Sequence, residues 1–284
     1  MAAGGFNVAC FHPLSAWSLP SGCITLREPL AYDSANSFLR LPCGGCLGCR
    51  KARSREWALR CTLELAEHEL ACWCTLTYDE AHVPPTLSKP HLSGFLKRLR
   101  KRSGAARLRF FGSGEYGEQT KRPHYHAILY GVARGSVAVQ SAWPHGFARV
   151  DELSPAAISY VAGYCSKKIG WRLDAGERVD LRTGELYEYQ PPFIQMSRRP
   201  GIGGAARRFV SSWRHHAILG GSVLPVPRFL HQAWLDQASE ADVEALAAER
   251  LAEPHRDSSR ARLVAGEQIA ISQHELASLS RVKI

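Results

Sequence analysis

No apolar run in this sequence approaches the roughly 20 residues that cross a bilayer, and no basic segment followed by an apolar one stands at its N-terminus. A membrane-embedded or secreted protein is therefore not expected, and the reading is a cytoplasmic one without membrane partners. Also missing is a Gly-x-x-x-x-Gly-Lys-Ser/Thr loop, so no ATP-driven motor is expected within the chain. His-Glu-x-x-His is absent too, which removes the zincin type of hydrolase. Neither an internal repeat nor a low-complexity tract is found. Acidic residues are the scarce charge: 26 Asp and Glu face 36 Lys and Arg, a net charge of +10. Such an excess favours a polyanionic partner, nucleic acid before membrane.

What is present is otherwise ordinary for a globular protein, with 45% hydrophobic and 22% charged residues over 284 positions. That length suits one large domain or a medium one with appendages. The nine cysteines are clustered unevenly, and in a reducing compartment this suggests metal binding or free thiols before disulfides. Cys43-Gly-Gly-Cys46-Leu-Gly-Cys49 is a pair of overlapping C-x-x-C steps with glycines that permit a tight knuckle. Three thiolates so close are most of a tetrahedral zinc site. Cys10 is the first choice for a fourth ligand, followed by Cys23, His12 and Cys61. A structural Zn2+ would explain how residues 1–53, poor in periodic hydrophobics, become ordered. Reduced cysteines without a metal are the alternative.

The stretch that organises the rest is Arg122-Pro123-His124-Tyr125-His126-Ala127-Ile128-Leu129-Tyr130-Gly131. As a strand it places His124 and His126 on one face, and Tyr125, Ala127 and Leu129 on the other. Two imidazoles side by side on a strand can grip one cation, although an isolated His-x-His is commonly a plain pair on a half-exposed strand. A strand over 107–113, a turn over 114–118 and this strand make antiparallel neighbours. Glu115 then falls beside the histidines and completes a three-ligand site open to a substrate oxygen. Glu118 is the reserve candidate, and a turn acid without function is the plainer reading of Glu115.

A helix is expected from Ser154-Pro155, a good N-cap and first-turn pair, to about Ile169. Tyr160, Tyr164, Lys167 and Lys168 gather on one side of it, away from Ile158, Val161, Ala162 and Cys165. Two tyrosines at a core rim would look the same; nearby lysines are what a phenol needs to act as a nucleophile at neutral pH. Further helices are expected over 54–70 and 88–102, and strands over 72–78 and 147–153, with Cys72 and Cys74 in the core. The second of those helices carries Lys97, Arg98, Arg100 and Lys101, candidates for phosphate contact or simply a solvated face. Arg198 and Arg199, next to glycines, are similar candidates in what could also be an ordinary loop. A polar hairpin over 174–189 and tail helices over 239–253 and 258–280 complete the reading. Four segments follow: a Cys-rich 1–53, a core over 54–172, a basic extension over 173–235 and a helical tail over 236–284.

Together these pieces resemble the His–hydrophobic–His (HUH) endonucleases. The resemblance rests on His124-Tyr-His126, Glu115 nine residues before it, and Tyr160-Val-Ala-Gly-Tyr164-Cys-Ser-Lys167-Lys168 after it. The paired tyrosines look most like those of the rolling-circle replication initiators of microviruses. Gly114-Glu-Tyr-Gly117, Arg122-Pro-His-Tyr-His126 and Ser197-Arg-Arg-Pro-Gly201 resemble the gokushovirus branch, and the cysteines match too. The likeness covers about residues 10–215. It implies an α+β fold with a ferredoxin- or RRM-like central antiparallel sheet. It also implies metal-dependent nicking of single-stranded origin DNA, with Mg2+ or Mn2+ held by His124, His126 and Glu115. Tyr160 and Tyr164 would alternate as nucleophiles that form 5′-phosphotyrosyl bonds, with Lys167 or Lys168 steadying charge. A host helicase and polymerase would be the partners, in the host cytoplasm. Rival readings are a non-enzymatic zinc-containing DNA-binding regulator and a single-tyrosine relaxase or transposase.

Overall fold

Alternating apolar and polar side chains build the sheet at the centre of this protein, and short, aperiodic segments build much of the rest. The computed structural model describes residues 10–19, 21, 23–29, 38–104, 107–117, 119–167, 176–180, 183–219, 221–252 and 259–281. The chain divides into two compact units, one of residues 1–53 with 239–284, the other of 54–238.

The N-terminal segment holds β1 (Leu14–Ser18), β2 (Ile24–Thr25) and β3 (Phe38–Leu41), antiparallel in the order β2-β1-β3. Strands of two to five residues are too short for a period-2 pattern to register in the sequence. α1 (Leu47–Leu65) begins before the stripe expected from 54, because Gly44, at φ 76°, turns the chain from Cys43 towards the helix. Then come β4 (Ala71–Tyr78), α2 (Lys89–Ser103), β5 (Arg109–Tyr116), β6 (Pro123–Tyr130), α3 (Val137–Ala142), β7 (Gly146–Glu152) and α4 (Pro155–Lys167). β8 (Gly176–Val179) and β9 (Leu186–Tyr189) form the expected polar hairpin, and β10 (Phe193–Met196) follows. Two 3-10 turns, a hairpin of β11 (His216–Leu219) and β12 (Ser222–Pro225), and α5 (Arg228–Leu235) close the larger unit. α6 (Glu240–Ala252) and α7 (Arg260–Arg281) are the tail helices. In the smaller unit α7 meets the N-terminal segment, with His12 Nε2 2.9 Å from Glu267 Oε1 and Lys51 Nζ donating to the Ala270 carbonyl. No helix among the described residues is long and apolar enough to cross a membrane.

The larger unit is an α+β structure on a five-stranded antiparallel sheet in the order β10-β5-β6-β4-β7. β10 leaves no clear signal in the sequence because it is four residues long and leads directly into a loop rich in Arg, Pro and Gly. β5 runs on to Tyr116, so the segment expected to turn at Gly114 is strand instead. Gly114 is what permits this: a Cβ there would meet Phe193 Cε1 at 2.8 Å and Leu87 Cδ2 at 3.1 Å.

The two faces of the sheet differ. Cys72, Cys74, Leu76, Phe110, Tyr125, Ala127 and Leu129 face α2 and α3, where Leu92, Phe95, Leu99 and Val139 are fully buried. Each such aliphatic contributes about 1.5–3 kcal/mol. α2 starts at Ser88, whose hydroxyl accepts from the His91 N–H, and ends on left-handed Gly104. On the opposite face Ala58, Cys61, Ile158, Val161 and Ala162 cover Phe111, Ile128 and Tyr130. This cover stops short of His126, and from there to the Pro123 end of β6 the face turns polar.

An ion-pair network fastens the loop after β10 to the core. Glu64, 3% exposed, accepts from Arg109 Nε, from the Gly203 N–H at 2.8 Å and pairs with His68 Nε2 at 3.2 Å. Arg60 donates to the Ile202 carbonyl and lies between the rings of Trp57 and Phe229, 4.2 and 4.3 Å from their centroids.

Candidate functional site

The register of the sheet writes the site out in rows. Glu115, His124, Thr77 and Phe147 stand side by side across β5, β6, β4 and β7. Ser113, His126, Thr75 and Arg149 form the next row. Tyr125, between the two histidines, points the other way into the core, where its hydroxyl contacts Tyr78 OH at 2.8 Å and the Ser88 N–H and carbonyl. A central strand pinned on one face in this way holds the histidines on the other.

Glu115 lies opposite His124 as a paired strand residue, not a turn acid. Its Oε1 is 2.9 Å from His124 Nε2 and 3.3 Å from His126 Nε2, and one ligand atom from each of the three residues lies within 4.8 Å of the others. Burial works against the charge on Glu115, but the hydrogen bonds and charges of both imidazoles outweigh it and hold its carboxyl at about 2. His124 Nδ1 is 3.2 Å from the Arg122 carbonyl, which can only accept, so that nitrogen carries a proton and Nε2 is the ligating atom. His126 Nδ1 meets Thr75 Oγ1 at 3.0 Å and leaves its Nε2 towards Glu115 in the same way. Two imidazoles and one carboxylate with an open side are a donor set for a divalent cation. The Ser113 hydroxyl fits such a group: it is buried beside His126 with no hydrogen-bond partner.

Tyr160 on α4 reaches this cluster. Its ring centroid is 5.9 Å from His126 and 5.9 Å from Trp73, edge-on to both, and the residue remains 41% exposed. Trp73 in turn stacks on His126 at 21°. Tyr164 and Lys167 fall on the last turn of α4, while Lys168 and the reserve acid Glu118 lie outside the described residues.

The basic candidates are placed elsewhere. Lys97, Arg100 and Lys101 are exposed on α2, on the far face of the sheet from the histidines. Arg98 turns inward and donates its Nε–H to the Ala142 carbonyl at 2.8 Å, at the end of α3. Arg198 and Arg199 are placed in the loop at the Arg109 end of β5, away from Glu115. Thr75, Ser113 and Trp73 are not distinguished by any motif in the sequence. Strand alternation alone puts Thr75 and Ser113 on the histidine face once the register is known.

In the smaller unit the Sγ atoms of Cys10, Cys43, Cys46 and Cys49 converge within 4.8 Å of one another. Cys10, the first choice for the fourth position, is the residue that closes the group; Cys23 is exposed and Cys61 is in the core of the other unit. Backbone N–H groups point at the sulfurs: Cys43 to Cys10 at 3.2 Å, Cys46 to Cys43 at 3.3 Å, and Phe11 and Cys49 to Cys46 at 3.4 Å. Burial raises Cys10 and Cys49, whereas on Cys43 the amides of Cys46 and Gly45 and the neighbouring thiols overcome burial and bring it to about 7. Cys10 and Cys46 Sγ are 3.9 Å apart, against an edge of about 3.8 Å for a tetrahedron with Zn–S bonds of about 2.3 Å. The four thiols therefore fit a tetrahedral metal.

Comparison with known proteins bears on both clusters. Residues 71–169, from β4 through α4, match the family described as replication-associated protein ORF2. The chain is 30% identical over 270 residues to "Replication-associated protein ORF2" of Spiroplasma virus 4, covering 83% of this chain and 81% of that one. It is 31% identical over 178 residues to "Replication-associated protein ORF4" of Chlamydia phage 1, 53% of this chain and 45% of that one. To "Replication-associated protein VP4" of Bdellovibrio phage phiMH2K it is 26% identical over 261 residues, 79% of this chain and 76% of that one. No solved structure gives a significant match. The matched family region contains Glu115, both histidines and the tyrosine helix, and similarity at this level runs along most of two viral proteins: the chain belongs to the family of phage replication-associated proteins.

Proposed function

We propose that this protein initiates rolling-circle replication by nicking single-stranded origin DNA through a tyrosine nucleophile and later rejoining the strand. The observation that carries the reading is the convergence of Glu115, His124 and His126 on an uncovered strand face with the Tyr160 ring against His126. In this reading the five-stranded sheet is the ferredoxin- or RRM-like core of an HUH endonuclease.

A divalent cation held by His124, His126 and Glu115 withdraws charge from a non-bridging oxygen of the scissile phosphate. Mg2+ prefers an all-oxygen shell, so two imidazoles favour Mn2+ of the two. The proton shared between His124 Nε2 and Glu115 must leave when the metal enters, so metal affinity rises with pH. Thr75 and the Arg122 carbonyl keep both imidazoles in the ligating tautomer. A tyrosine oxygen attacks phosphorus in line. The P–O3′ bond breaks, the tyrosyl oxygen–phosphorus bond forms on the 5′ side, and the departing 3′ oxygen takes a proton. Lys167 or Lys168 balances the phenolate and the charge of the transition state. The phosphotyrosyl bond keeps the ester available for religation. Tyr160 and Tyr164, one helical turn apart, then alternate: the second cuts the regenerated origin while the first still holds DNA. The freed 3′-OH closes the circle. Strand separation and synthesis fall to a host helicase and polymerase in the host cytoplasm. Cys10, Cys43, Cys46 and Cys49 hold a structural Zn2+ that orders the N-terminal unit.

Incubation with single-stranded origin DNA and Mn2+ tests the reading. A covalent protein–DNA band is expected, and it is lost in Tyr160→Phe/Tyr164→Phe with DNA binding retained. Binding with no adduct from the unmodified chain would favour a regulator without chemistry.

A further inference from the structure

The two rows that carry the metal ligands do not end at the histidines. They continue through Thr77 and Thr75 to Phe147 and Arg149 on the edge strand β7. The alternation of β7 is unusual for an edge. Ala148 and Val150 pack on the α2–α3 core, while Phe147, 68% exposed, and Arg149 stand on the histidine face. A bare phenylalanine two strands from His124, about 10 Å at the usual strand spacing, serves no core. Arg149 beside it is oriented: Asp151, two residues on, pairs with its Nε at 2.9 Å, and a guanidinium has further donors on its terminal nitrogens. Along these two rows, the hydroxyls of Thr75 and Thr77 separate this pair from the imidazoles.

We infer that Phe147 and Arg149 form a subsite for the nucleotide flanking the scissile phosphate, Phe147 stacking on its base and Arg149 holding its backbone. The inference rests on the nicking reading and deepens it. An aromatic platform next to a cation is how single strands are held without sequence preference. Its position in line with His124 and His126 sets where along the strand the phosphate falls. A protein partner on the same face would need a broad apolar patch, and the neighbours of Phe147 here are threonine, arginine and imidazole.

The test measures binding of the full chain, in chelator, to two fluorescent oligonucleotides of equal length: a dT tract and the same backbone without bases. Phe147→Ala should shrink the preference for dT by about 5- to 150-fold, the range for one lost base stack, and Phe147→Trp should keep it. Arg149→Ala should keep the preference but lower the slope of log affinity against log salt by about 0.7, one phosphate on a single strand. Both side chains are exposed, so matching circular dichroism of variants and parent is expected. An unchanged dT preference in Phe147→Ala overturns the inference. It does so even if the adduct with origin DNA still forms, and a missing adduct with the base effect intact would sink only the nicking reading.

Discussion

Two clusters of ligand-type side chains lie in the two units of this protein, and they are built in opposite ways. Four sulfurs close around one point in the smaller unit, fed by backbone amides and held by a loop with little secondary structure. In the larger unit two imidazoles and a carboxylate stand on rigid paired strands and leave one side open. A closed, soft donor set supplies folding energy, whereas an open, borderline one supplies chemistry. The cause lies in what each unit has to stand on. The sheet is held by its apolar core and can spare an uncovered face. Among the described residues, the N-terminal strands bury few side chains, Ala16 among them, and have no comparable support.

The sharpest way to break this contrast is to strip metal from each cluster. Removal from the four cysteines, or Cys10→Ser, should unfold the smaller unit, since structural zinc contributes on the order of 10 kcal/mol. Loss of protease resistance in residues 1–53 and of one zinc per chain by mass spectrometry would show it. A mild chelator acting on the histidine cluster should stop nicking and leave the melting of the sheet unit unchanged. If both treatments unfold the protein, or neither does, the contrast fails.

The ion pair at Glu64 asks how far the larger unit depends on charge without metal. Burial opposes the Glu64 carboxylate, but Arg109, the Gly203 amide and His68 lower its pKa below the ordinary carboxylate value. A depressed folded pKa means stability that is present above the unfolded value, about 4.3, and lost as pH falls through the folded one. Glu64→Gln should cost about 3 kcal/mol at neutral pH by stranding Arg109. It should also flatten the pH dependence of chemical denaturation below pH ~4.3. The same acid sensitivity in the variant would assign it elsewhere.

A smaller effect separates the ligands from their support. Thr75→Val removes the hydroxyl against His126 Nδ1 and should weaken Mn2+ binding by about 10- to 100-fold. Calorimetric titration reads this directly, and an unchanged affinity would show that Thr75 does not orient the ring.

How much of this is legible in the sequence follows the same division. His124 and His126 declare themselves because strand spacing is a period of two and the segment around them is apolar. Cys43, Cys46 and Cys49 do so because their spacing is local, and Cys10 because it lies upstream in the same cysteine-rich segment. Glu115 reads locally as a turn acid; only pairing through Gly114, which Phe193 and Leu87 press upon, puts it in the strand. Thr75, Ser113, Phe147 and Arg149 take their meaning from register between strands distant in sequence, which no local pattern encodes. The basic run of α2 reads as one cationic face, yet Arg98 is spent on the Ala142 carbonyl. β10 and the Glu64–Arg109 pair likewise depend on long-range contacts.

The most direct test of the central claim is to digest the DNA-linked protein and identify the modified residue by mass spectrometry. The account predicts a 5′-phosphate ester on Tyr160 or Tyr164, formed only with a divalent cation present. A link to any other residue, or a nicked strand with a free 5′-phosphate and no protein attached, would contradict it.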